Sequence, residues 1–128
     1  MLNYDGIEKT TLTAPKQILA NVQLQESVGC IVPQTLGVAV GSKKIAKAGT
    51  PINIDFINLQ TVAKAAAAES PMNAVLLHDV DVTSGSKNGT ALIFGFVNLN
   101  RVDSDVASAI TTAKGYGTPS PMLTFIKA

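Results

Sequence analysis

His78-Asp79-Val80-Asp81 is the one place in this 128-residue sequence where an imidazole and carboxylates stand close enough along the chain to invite metal or acid–base chemistry. These residues end an apolar run whose composition predicts a strand, and on a strand successive side chains point to opposite faces. His78 then shares a face with Leu76, Val80 and Val82, while Asp79 and Asp81 share the other with Val75 and Leu77. The three polar groups therefore do not converge on one ion. A lone histidine on an apolar face is expected to be a hydrogen-bonded core or interface residue, with a pH-sensitive contact as the functional alternative. The aspartates are expected to be solvated or to pair with Arg101 or the lysines. No loop of spaced oxygen ligands accompanies them, which argues against calcium.

Other chemistries find less support. Cys30 is the single cysteine, so no internal disulfide can form, and with one histidine there is no Cys/His set for a structural zinc. A lone thiol among apolar residues, with no defined base, is expected to be inert. The glycines between Gly37 and Gly49 lack the spacing and the following helix that would aim backbone N–H groups at a phosphate. No catalytic, cofactor-binding or metal-ligating residue is assigned, and the chain is not read as an enzyme. A formal charge of +1, with Lys43-Lys44 the only adjacent basic pair, supplies no electrostatic reason to expect nucleic acid or an anionic membrane as partner. No apolar run approaches ~20 residues and no basic-then-apolar leader opens the chain, so a soluble protein made in a reducing cytoplasm is expected.

The elements that would position such residues form one domain with an appendage. Asn73 to Val102 reads as two apolar strands joined by the polar turn Thr83 to Gly89. On the second strand Leu92, Phe94 and Phe96 line one face, and Ala91, Ile93, Val97 and Leu99 the other, so it must be covered twice. Leu36 to Val40 and Lys44 to Ala48 predict a second hairpin about Gly41-Ser42, its lysines solvated or protecting an edge. Ile52, Ile54 and Phe56 predict a strand. Thr61 to Glu69, rich in alanine, predicts a helix on propensity, with a loop packed at a subunit contact as the alternative. Val102, Val106, Ala109, Ile110 and Ala113 form a helical stripe that Gly115 and Gly117 end. Pro119 and Pro121 shape an extended connection, and Leu123 to Lys127 returns as a closing strand. The expected fold class is mainly β (α+β): a compact hairpin-built β domain, 35–128, with one short helix, preceded by an extended N-terminal arm, 1–34.

Within that arm a short helix after Pro15 is possible from the spacing of Ile18, Leu19 and Val22. The arm carries too many apolar residues for a spacer, among them Leu2, Tyr4, Ile7, Leu12, Ile18, Leu19, Val22 and Leu24. Ordering it costs ~1–2 kcal/mol per residue in backbone entropy, which docking on a partner would have to offset. Removal of everything up to Gln34 is expected to leave a folded core. Charged residues make up only 15% of the chain against about 25% in ordinary domains, and self-association or docking would explain the shortage.

VLLHDVDVT, a glycine-containing turn, the strand LIFGFVN, a short helix and the closing LTFIK together resemble the head decoration proteins of tailed bacteriophages, of the lambda decoration type. The likeness runs from about Lys44 to Lys127 and is thinnest between Ile54 and Met72; the arm is not matched residue by residue. The resemblance implies a structural protein on the outer surface of the virion capsid. It would form a homotrimer over three-fold positions, with the arm laid on the major capsid protein. His78, Ile93, Phe94, Phe96 and Val97 are then the candidates for the trimer interface or core. The alternatives are another virion part, such as a head fibre base or tail protein, and a small ligand- or metal-binding module built on His78 and the aspartates.

Overall fold

The computed structural model describes residues 17–20, 23–115 and 122–127. Its fold is mainly β, with one short helix. The order of elements is β1 (Glu26–Val32), β2 (Val38–Val40), β3 (Lys43–Ala46), β4 (Pro51–Asn53), β5 (Lys64–Ala65), β6 (Ala74–Leu76), β7 (Val80–Asp81), β8 (Lys87–Asn98), α1 (Ser104–Ala113) and β9 (Met122–Ile126). The main sheet runs β1-β8-β6-β4-β5, every pairing antiparallel. Its two ends meet: Val62, just before β5, bridges Ile31 of β1, and the Ala63 N–H donates to the Ile31 carbonyl at 3.0 Å. The sheet thus rolls on itself into a small barrel.

Period-2 alternation fills that barrel. Cys30 and Val32, Ile52 and Ile54, Ala74 and Leu76, and Ala91 all point into one buried cluster. A barrel this narrow has room for few large side chains, which accounts for the alanines at positions 63, 74 and 91. The three-stranded sheet β2-β3-β7 packs Ala46 against the same cluster, joined there by Val82.

A second core lies on the outside of the barrel wall. Val106, Ile110 and Ala113, one stripe of α1, pack with Val75 of β6 and Leu92 and Val97 of β8. β8 is therefore sandwiched between two cores, as its doubly apolar pattern requires. Leu92 and Val97 are five residues apart yet belong to the same cluster, which strict alternation forbids. The phase changes at Gly95, whose φ of 152° favours glycine, and the register with β1 is irregular just before it, between Glu26 and Ser27. Beneath α1, Gly49 takes φ 91° in a turn where a Cβ would come within 2.7 Å of Val102 Cγ1.

Four expectations are corrected. The 1–34 arm does not extend to Gln34, because Glu26 to Val32 is β1, a wall of the barrel. The helix after Pro15 is not formed at residues 17–20: Leu19 bridges Val97, and the Asn98 N–H donates to the Ile18 carbonyl at 2.8 Å, extending the sheet along β8. Thr61 to Glu69 is not helical; pairing of Lys64–Ala65 with β4 and of Val62 with β1 outweighs the helix propensity of the alanines. The first strand of the central hairpin breaks at Leu77, so that β6 stays in the barrel and β7 joins β3. The connection with Pro119 and Pro121 lies outside the described residues.

Candidate assembly surface

Of the residues singled out for chemistry, the two aspartates bond within the fold. Asp79 Oδ1 accepts the Ala48 N–H at 2.7 Å, fixing the turn between β3 and β4. Asp81 Oδ1 accepts from the Thr83 hydroxyl at 2.6 Å and the Thr83 N–H at 3.0 Å, and these bonds, the hydroxyl's first, hold its carboxyl below the usual range. His78 is half-buried, and its Nδ1 is shielded with no hydrogen-bond partner among the described residues. Cys30 is buried in the barrel, where desolvation pushes its thiol pKa up and disfavours the nucleophilic thiolate. Among the described residues no three His, Cys, Asp or Glu side chains gather as a metal site.

Lys47, read with the edge lysines, instead ties the turn after β3 to the start of α1. Its Nζ lies 3.1 Å from Asp105 Oδ2 and 3.2 Å from Asp103 Oδ2. The bond to Asp105, then that to Asp103, raises the Lys47 pKa. A folded-state pKa above the unfolded one contributes stability that is complete below about pH 10.4 and is lost as pH rises through the folded value. Urea unfolding of wild type and Lys47→Met from neutral pH upward should show a gap that closes on the alkaline side. A gap unchanged at the highest pH would assign the lysine's contribution to its aliphatic stem.

The unusual surface lies on β8 and β9. These strands are parallel, with Phe94 opposite Met122, Phe96 opposite Thr124 and Asn98 opposite Ile126. Leu123 and Phe125 pack onto the α1 core, so Met122, Thr124 and Ile126 occupy the face turned away from it, beside Phe94 and Phe96. Met122 is 71% exposed and the nearby Leu24 51%, while Phe94 and Ile126 are also exposed. β9 pairs only with β8 among the described residues, leaving an apolar wing with an open edge. A second apolar feature is the turn after β4, where Ile57 is 97% exposed beside Phe56 and Val62, next to an open cleft of about 430 Å³. A soluble domain seldom leaves such groups together in water unless something covers them.

The expected site residues divide accordingly. Ile18 and Leu19 are not arm residues free to meet another protein; they are buried in the domain's own core. Leu24 is exposed beside the wing, while Leu2, Tyr4, Ile7, Leu12 and Val22 lie outside the described residues. Val97 is wholly buried, Ile93 is half-buried against the barrel core, and Phe94 and Phe96 are on the wing. Met122, Ile126 and Ile57 were not singled out by sequence. A strand pattern does not reveal which apolar members at its ends remain uncovered.

No protein-family model matches the chain, and no curated protein does.

Proposed function

We propose that this chain is a structural virion protein of a tailed phage, which binds the outside of the expanded head as a trimer and stabilises the capsid lattice. The observation that carries this reading is the apolar wing on which Phe94, Met122 and Ile126 are exposed beside the half-buried Phe96, on a chain poor in charge. A surface of this kind favours contact with protein. The order of strands and helix that resembles the decoration proteins supplies the kind of assembly. The partners are the major capsid protein and further copies of the chain. Leu2, Tyr4, Ile7 and Leu12 are proposed for the capsid contact, together with Leu24.

The mechanism is thermodynamic. A protein that binds the assembled lattice and not its separated subunits shifts the equilibrium towards the intact shell. Three linked copies make individually weak contacts sufficient, because the second and third engage at high effective concentration. No catalytic step and no cofactor enters the proposal. Mixing the purified protein with undecorated expanded heads should lead to retention that saturates at the number of three-fold sites. Heads that retain none would overturn the reading, and retention at a single vertex or at the tail would assign the protein to another virion part.

A further inference from the structure

Resting on the trimeric reading, a question of symmetry arises. An isologous contact joins two copies about a two-fold axis and stops there, so a closed ring of three needs a heterologous contact between two different patches on each copy. The described residues present two apolar patches suited to this: the turn at Phe56–Ile57 and the β8–β9 wing. The cleft beside Ile57 contains no residue of β8 or β9, which makes the two patches distinct.

We propose that the ring closes head to tail, with the Phe56–Ile57 turn of one copy seated on the β8–β9 wing of the next. The turn is held in shape before docking: the Ile57 N–H donates to Asp55 Oδ1 at 2.9 Å, and the Asn58 N–H donates to the Asp55 carbonyl at 3.2 Å. A preformed apolar knob loses little conformational freedom on binding. The wing offers a broad receiving surface, and the unbranched Met122 at its end adapts to what lands on it. Charges fit as well. Lys64 lies beside the turn and Glu26, the cross-strand partner of Phe94, borders the wing, so the two can meet across the contact.

The third exposed apolar strip, Val38 and Val40 on β2, is a poorer candidate. Val40 stands opposite Lys43, whose stem covers apolar surface and whose ammonium group keeps the edge in water.

The test uses the full chain in a Cys30→Ser background, with Ile57→Cys and Met122→Cys made separately and combined. Thermal melts should first match the parent, and a short thiol-to-thiol linker serves where oxidation cannot bridge the pair. Mixing the two single variants should link one chain to another, neither variant should link to itself, and the double variant should yield a covalent closed trimer. Independently, Ile57→Asp should shift the solution mass from trimer to monomer with the melt of the isolated domain retained. Trimers by mass whose Ile57→Cys chains link to one another, or whose mixture never links, would sink the head-to-tail seating and leave the trimeric reading intact. A protein monomeric both free and on heads would remove the trimeric reading and this inference with it.

Discussion

A chain beginning at residue 35 should fail to fold, whereas a chain beginning at residue 17, which keeps β1 and the buried Ile18 and Leu19, should fold. β1 pairs with β8 from Glu26 opposite Phe94 to Val32 opposite Lys87, and Cys30 and Val32 fill the barrel interior. Its Ile31 also receives the bridge that closes the sheet. Upstream, Ile18 and Leu19 are buried in the α1 core. Burying a large aliphatic side chain contributes about 1.5–3 kcal/mol, so Ile18, Leu19 and Val32 alone supply a large share of the about 5–15 kcal/mol that a whole domain possesses. Their loss, together with the ladder to β8, exceeds what so small a fold can spare. It also strips one edge of β8 and opens the barrel, a combination that favours aggregation. Far-UV circular dichroism and gel filtration of the 17–128 and 35–128 chains decide the matter. A monodisperse, cooperatively melting 35–128 chain would show that β1 is an accessory to the barrel. In that case the capsid-binding appendage would extend to Gln34 after all.

Why the arm boundary is misplaced by sequence is a matter of pattern strength. Val28, Cys30 and Val32 alternate as a half-buried strand should, but Gly29 and the surrounding Gln and Ser residues dilute the signal, and the partner that makes it a strand, β8, is about sixty residues away. Local signals were legible. Val102, Val106, Ile110 and Ala113 specify α1 by spacing, and the two-residue turn at Gly41 specifies the β2–β3 hairpin. The doubly apolar β8 announces that both of its faces are covered, while its pattern leaves open whether Phe94 and Phe96 belong to a core or to a trimer interface. The parallel pairing of β8 with β9 leaves no mark in either strand's own pattern, although strand, helix, strand in that order is the connection parallel neighbours need. Barrel closure was invisible because it depends on Val62 and Lys64–Ala65, in a stretch whose alanines favour helix when taken alone. The exposure of Ile57 follows from that closure. Ile52, Ile54 and Phe56 alternate like one strand, yet the ladder ends at Asn53 and the chain turns out to solvent.

The ladder's end is held by a side chain, and its removal is the second large effect expected. At the start of β6, Asn73 is buried, and its N–H donates to the Ile52 carbonyl at 3.0 Å, continuing the β4–β6 ladder. One step further the backbone cannot continue, because Pro71 has no N–H to give. The Asn73 amide does the work of the missing residue: its Oδ1 accepts the Ile54 N–H at 2.9 Å, and its Nδ2 donates to the Ile54 carbonyl at 2.8 Å. Both bonds are buried, so Asn73→Ala leaves a donor and an acceptor without partners in the barrel wall. Leaving such a group unmade costs about 1–3 kcal/mol. The pair should lower stability by about 2–4 kcal/mol, or roughly 10 °C in melting temperature at this chain length. Asn73→Asp tests the same geometry, since a carboxylate keeps the acceptor for the Ile54 N–H but loses the donor to its carbonyl and adds a buried charge. Asn53→Ala, which removes one half-buried bond to the Pro71 carbonyl, should cost less than Asn73→Ala. Hydrogen exchange at the Ile54 amide gives the local readout: it should accelerate in Asn73→Ala by more than the global loss of stability explains. An Asn73→Ala protein within half a kcal/mol of wild type, with Ile54 still protected, would mean that the ladder end is satisfied without this side chain.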